Sequence, residues 1–137
     1  MTPTPASGVL PIRAENDIVA ARRAVRDAAT QLGFGLTDVT RLVTAASELA
    51  RNVFKYAGQG TMQWATVQGD TRVGLELRFV DQGPGIADVS LAMEEGYTTG
   101  GGLGIGLPGA RRLVDELVIE STLGQGTTVI VKKWRKN

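Results

Sequence analysis

The 137-residue chain contains no cysteine and no histidine. Without thiols there is no disulfide framework, no thiolate metal site and no cysteine nucleophile. Without imidazole, a Ser-His-Asp triad, a His-ligated metal and a phosphohistidine are all excluded within this chain. No apolar run approaches the ~20 residues that a membrane span needs. An excess of charge is missing too: 15 basic residues against 14 acidic leave a net +1. That balance gives no general signal for a polyanion, so nucleic acid is not an expected partner, and neither is a membrane. Basic residues gather only locally, at Arg22, Arg23 and Arg26, at Arg111 and Arg112, and along residues 132–136. Residues 1–8 are rich in Pro, Thr and Ser, with neither an apolar core nor a basic n-region. They read as a disordered tail rather than a signal peptide, and a cytoplasmic location is expected. What remains, residues 9–137, has the length and the ordinary apolar content of one globular domain.

Periodicity and punctuation order that domain. Residues 9–13 read as a strand. Asn16 and Asp17 mark the start of a helix whose apolar stripe is Ile18, Ala21, Val25, Ala28 and Leu32. Thr37 is placed to cap a second helix, through Leu42, Ala45, Ala46, Leu49 and Val53, ending near Gly58. Strands are expected over 61–68 and 72–80, joined at Gly69-Asp70, and over 117–122 and 127–133, joined around Gly124-Gln125-Gly126. A short helix is expected over 89–95, and another after the glycine-dense stretch 96–109. Helices and antiparallel strands grouped in this order predict a two-layer α/β sandwich rather than a doubly wound parallel sheet.

Three segments carry chemistry. Glu48 and Asn52, four apart, lie on one face of the second helix. A carboxylate there can take a proton from an attacking hydroxyl, and an amide oxygen is a hard ligand suited to Mg²⁺ beside phosphates. The competing reading is a solvated helix face on which Glu48 pairs with Arg51. Next, Asp81-Gln82-Gly83-Pro84-Gly85-Ile86 follows an apolar strand. An aspartate there can accept a hydrogen bond from the exocyclic amine of adenine, where guanine presents an oxygen. Gly83 and Gly85 remove side chains where a flat base must come close to the backbone. A plain Asp/Gly/Pro turn is the alternative. Last, Gly100 to Leu107 runs into a helix, so that successive N–H groups can face a phosphate chain. No Gly-Lys-Ser/Thr follows, which excludes a Walker A loop, and the next helix leads into a hairpin rather than a βαβ unit. Six glycines between Gly96 and Gly106 fit a mobile lid over a ligand better than a packed element.

In order and spacing, Glu48-xxx-Asn52, Asp81-x-Gly83-x-Gly85 and Gly102-x-Gly104-x-Gly106 resemble the N, G1 and G2 boxes of the GHKL ATP-binding superfamily. Gly124-Gln125-Gly126-Thr127-Thr128 resembles its last glycine-threonine box. The resemblance runs from about residue 9 to residue 134. It implies the GHKL (Bergerat) sandwich: a mixed, mostly antiparallel sheet with helices on one face. The short length sets the chain apart from the topoisomerases, Hsp90 and MutL. The missing histidine and dimerisation segment set it apart from self-sufficient sensor kinases, which leaves the anti-sigma regulatory kinases. Several flanking stretches, among them Asp17-Ile-Val-Ala-Ala-Arg22, Leu32-Gly-Phe-Gly35, Ser47-Glu-Leu-Ala-Arg-Asn52 and Tyr56-Ala-Gly58, resemble the stressosome switch serine kinases of the RsbT family.

That resemblance implies ATP-dependent phosphorylation of serine on STAS-domain scaffold or antagonist proteins. It also implies that the released kinase binds and activates a PP2C-type phosphatase or other output protein. The alternatives are an anti-sigma factor kinase that sequesters a sigma factor, and a nucleotide-gated binding module without phosphoryl transfer. Carried onto this chain, Glu48 would be the general base and Asn52 the ligand of Mg²⁺. Asp81 would read adenine, with Gly83, Gly85, Ile86 and either Thr127 or Thr128 beside it. Gly102, Gly104, Ile105, Gly106 and Leu107 would wrap the phosphates through backbone N–H groups. Lys55, Arg111 and Arg112 are candidates for a cation at the γ-phosphate. Trp64 and Trp134 read as strand packing. The arginines of the first helix form a basic face, either solvated or docked on an acidic partner.

Overall fold

A computed structural model describes residues 7–86 and 106–136. Along the chain these form β1 (Ser7–Ile12), α1 (Glu15–Gln31), α2 (Leu36–Ala57), β2 (Gly60–Gln68), β3 (Val73–Asp81), α3 (Gly106–Leu113), β4 (Glu116–Thr122) and β5 (Gly126–Trp134). The strands make one sheet in the order β1-β2-β3-β5-β4. Every pairing in it is antiparallel, so the expected mixed sheet is wholly antiparallel among the described residues. The helices cover one face, which gives the expected two layers. The helix expected over 89–95 lies outside the described residues. The boundary placed after residue 8 is too late: Ser7 and Gly8 already belong to β1, paired with Ala65 and Trp64. The Trp64 indole lies across Gly8, where a Cβ would stand 2.3 Å from the ring.

Alternation decides which side chains reach the helices. On β3 the inward row is Leu75, Leu77 and Phe79, all at most 1% exposed, and on β5 it includes Val129 and Val131. These meet the stripe Leu42, Ala45, Ala46, Leu49 and Val53 of α2, which packs in turn on Ile18, Ala21, Val25 and Ala28 of α1. Two helix starts differ from expectation. The α1 N-cap is Ala14, and Asp17 serves three residues in, its Oδ2 accepting the N–H groups of Arg13 and Ala14 at 2.8 and 3.0 Å. The α2 N-cap is Gly35, so Thr37 lies inside the helix.

At one end of the sheet, Asp38 in the first turn of α2 is 5% exposed. Its carboxylate is held by Arg41 at 3.0 Å, by the buried Lys133 of β5 at 3.6 Å and by Lys136 at 3.8 Å. A buried charge paired in this way ties the N-terminus of α2 to the end of the last strand. Trp134 is likewise a packing residue, with Arg72 stacked 3.9 Å from its ring and its Nε1 donating to Glu116 at 3.1 Å.

Candidate functional site

The chemistry gathers at the other end of the same sheet. Ile12, Gly60, Asp81, Thr127 and Ser121 are successive partners across β1, β2, β3, β5 and β4, one rung of the sheet. Directly paired residues share a face, so this rung continues the inward rows that further in consist of Phe79, Val129 and Ile119. Three adjacent rows therefore change from apolar to polar at the same level, at the edge of the core beneath the end of α2. Thr128 pairs with Val80 and points to the opposite face. Of the two threonines left open by the sequence, only Thr127 stands beside Asp81, and the placement of Thr128 at the site is corrected.

Asp81 is half-buried and its oxygens are unequally used. Oδ1 accepts the N–H of Gly83 at 2.9 Å and that of Thr127 at 3.3 Å. Among the described residues Oδ2 has no hydrogen-bond partner. The loop that follows is fastened to the β4–β5 hairpin: Ile86 N–H donates to Ser121 Oγ at 2.7 Å and Gly124 N–H to the Pro84 carbonyl at 2.7 Å. Its glycines answer to the chain itself. Gly85 has φ +77°, and a Cβ there would lie 2.4 Å from the Thr122 carbonyl oxygen. Gly126 has φ +125°, and its Cβ would lie 2.2 Å from the Asp81 carbonyl oxygen. Both positions need glycine for φ and for backbone contact. A Cβ on Gly83 would meet that of Ala57 at 2.6 Å, which brings the last turn of α2 directly against the loop.

That contact orders the site along α2. Asn52 lies five residues before Ala57, about 7.5 Å along the axis, and Glu48 nine residues before it, about 13.5 Å. Asn52 is partly buried, and among the described residues its amide makes no hydrogen bond. Glu48, with 14% of its side chain exposed, accepts from Arg51 Nη1 at 2.9 Å. The pairing weighed from the sequence is therefore present, and among the described residues Glu48 Oε2 makes no hydrogen bond. Gly106 and Leu107 open α3, which packs on α2 through Ala110, and Gly106 has φ +63°. Gly102, Gly104 and Ile105 lie outside the described residues. Lys55 stands over the Tyr56 ring at 5.2 Å, and Arg111 and Arg112 are exposed in the last turn of α3. A shallow groove lined by Ser7, Val9, Gln63, Ala65, Glu76 and Arg78 lies on the helix-free face. It shares no residue with this chemistry.

Ser121 is the residue that the sequence did not single out. Its signal was the alternation Leu117, Ile119, Ser121, in which a polar residue ends an inward row.

Residues 37–137 match the family described as histidine kinase-, DNA gyrase B- and HSP90-like ATPase. The chain is 49% identical over 123 residues to the serine/threonine-protein kinase RsbT of Bacillus subtilis, covering 90% of this chain and 92% of that protein. It is 32% identical over 120 residues to an anti-sigma F factor of Caldanaerobacter subterraneus, covering 83% and 82%. Among solved structures, the RsbU and RsbW domains of Rv1364c from Mycobacterium tuberculosis share the fold with a TM-score of 0.61 and 21% identity. That match covers 94% of this chain and 33% of that one. A mycobacterial sensor histidine kinase, MprB, does so at 0.58 and 21%, covering 94% and 97%. The chain belongs to the histidine kinase-, DNA gyrase B- and HSP90-like ATPase family, within it as a protein of the serine/threonine-kinase type.

Proposed function

We propose that the chain transfers the γ-phosphoryl group of ATP to a serine of a STAS-domain partner within a partner-switching module. The observation that carries this reading is the Asp81 carboxylate at the strand end, whose Oδ2 makes no hydrogen bond among the described residues, in a chain 49% identical to a serine/threonine-protein kinase. Oδ2 of Asp81 would accept the adenine amine, and Thr127 would stand next to the ring. The phosphates would pass Asn52 toward the start of α3, where Gly106 and Leu107 offer N–H groups, and toward Gly102, Gly104 and Ile105.

Mg²⁺ fits what the chain provides. Among the described residues no group of three metal-ligating side chains exists, and the unpartnered Asn52 amide is one hard oxygen donor. One protein oxygen supplemented by phosphate oxygens and waters is how Mg²⁺ is commonly held at nucleotide sites. The ion would neutralise charge on the phosphates. Glu48 would orient the incoming serine and take its proton as the new O–P bond forms and the bond to the bridging oxygen breaks, releasing ADP.

Incubation with labelled ATP, Mg²⁺ and STAS-domain proteins tests the reading. Label on a partner serine is expected, lost in Glu48→Ala while ATP binding stays within about threefold. Transfer at the wild-type rate by that variant would refute the role of Glu48. The similarity to an anti-sigma F factor supports a second reading, in which the same site serves a kinase that also sequesters a sigma factor. Affinity capture separates the two: STAS and PP2C-type proteins without a sigma factor support the first. A sigma factor retained in a nucleotide-dependent way supports the second.

A further inference from the structure

The sequence offers Lys55, Arg111 and Arg112 for the cation at the γ-phosphate, and the structure favours none of them. Lys55 lies seven residues beyond Glu48, about 10.5 Å along α2, over the Tyr56 ring. Arg111 and Arg112 are exposed in the last turn of α3, at least one turn beyond the Gly106 and Leu107 N–H groups that open it. The cation beside the expected base is Arg51, whose Nη1 donates to Glu48 Oε1 at 2.9 Å. A guanidinium carries five N–H donors in a rigid fork, and among the described residues Arg51 makes no other hydrogen bond. An exposed pair three residues apart on a helix adds little to stability. The fold thus holds a guanidinium, with 45% of its side chain exposed and most of its donors unused, against a carboxylate that is only 14% exposed.

A base that takes a serine proton stands about 3 Å from that oxygen, which lies about 3–3.5 Å from the phosphorus it attacks. If Glu48 is that base, the transferring phosphoryl group comes within about 6.5 Å of its carboxylate, where the Arg51 fork already sits. Two negative groups brought this close repel each other. We propose that Arg51 is a catalytic residue: it offsets the charge of Glu48 through Nη1 and offers its remaining N–H groups to the γ-phosphoryl oxygens in the transition state. The serine Oγ–P bond forms, the serine proton goes to Glu48 Oε2, and the bond from phosphorus to the bridging oxygen breaks to release ADP. The inference rests on the reading of Glu48 as the general base and adds the cation which that reading lacks.

The test is single-turnover transfer from ATP and from ATPγS to the STAS-domain protein that the wild-type chain labels, with an ATP titration and a thermal melt of each variant. At saturating ATP and partner, Arg51→Met should lower the rate about 100- to 1,000-fold, the weight of one donor aimed at developing charge. ATP affinity and melting temperature should stay close to those of the wild type. Sulfur accepts hydrogen bonds more weakly than oxygen, so thio-substitution costs less once the guanidinium is gone. The ATP/ATPγS rate ratio should therefore fall about fivefold in Arg51→Met, whereas a structural or partner-docking role would leave it unchanged. A wild-type rate in Arg51→Met, a loss that saturating partner restores, or an unaltered ratio overturns the proposal while the base reading stands. A wild-type rate in Glu48→Ala overturns the base reading and this proposal with it. No label on any STAS-domain protein overturns the kinase reading on which both rest.

Discussion

Asp81→Asn separates the contribution of Asp81 to the fold from its contribution to a ligand, because the structure dictates which way the amide must lie. Two N–H groups, from Gly83 at 2.9 Å and Thr127 at 3.3 Å, converge on Oδ1. Only the amide oxygen can accept them, so the new NH₂ is forced to the position of Oδ2 and faces the ligand. Both backbone bonds survive with a neutral acceptor in place of a charged one, at a cost of about 1 kcal/mol. On the ligand side an acceptor becomes a donor, and the adenine amine meets another donor. Losing a hydrogen bond to a charged group removes about 1.5–3 kcal/mol, roughly 10- to 150-fold in affinity. Asp81→Ala behaves differently: it strands both N–H groups at the edge of the core, and its stability loss should reach about 2–4 kcal/mol. Calorimetric titration with ATP and a urea melt of each variant give both numbers. If Asp81→Asn binds ATP within twofold of the wild type while keeping its stability, Asp81 does not read the base.

Gly126→Ala would set a Cβ against the Asp81 carbonyl at a φ that L-residues avoid; a loss of about 3 kcal/mol or more is expected in denaturant melts, together with weakened ATP binding. Asp38→Ala would leave the Lys133 ammonium, with 7% of its side chain exposed, facing no carboxylate among the described residues. It should lower stability by about 3 kcal/mol without altering the affinity of the remaining folded protein for ATP. Arg22, Arg23 and Arg26 are exposed and make no ion pair among the described residues. If they face an acidic partner, Arg22→Glu with Arg26→Glu should reduce partner phosphorylation about tenfold at low salt and leave ATP binding unchanged. Equal rates would mark them as solvated surface.

Much of this arrangement was legible because the strong signals are periodic. The α2 stripe from Leu42 to Val53 and the two hairpins lie where alternation and turn residues put them. Caps were less legible. Asp17 does its capping from the third helical position, and Gly35 caps α2 without a side chain, so a search for side-chain caps at helix starts misplaced both ends. Thr127 and Thr128 could not be separated because both rows of β5 are partly apolar, Val129 and Val131 inward against Ile130 and Trp134 outward. Only the register with β3 decides between them. Ser121 was hidden for a related reason. One strand ending its inward row in a polar residue is ordinary, and the pattern acquires meaning only when β3, β5 and β4 are seen to do so on one rung.

The structure also changes what the glycines of the Asp81 segment say about a ligand. From sequence they read as clearance for a flat base. In the fold, Gly83 is required by Ala57 and Gly85 by the backbone of Thr122. A substitution at any of them would damage binding by moving the loop, whether or not a base touches it, so such variants are weak evidence for contact. Asp81, Asn52 and Glu48 stand apart. Each keeps a polar atom with no hydrogen-bond partner among the described residues: Oδ2 of Asp81, the whole amide of Asn52, Oε2 of Glu48. None of these is a buried orphan, Trp64 Nε1 being the buried side-chain polar atom without a partner among the described residues, so they stay available to a ligand without a cost to the fold. Their placement in sequence along one helix and the strand end it touches is the strongest physical argument that a ligand, presenting a donor at one end and a polyanion with its cation at the other, completes the site.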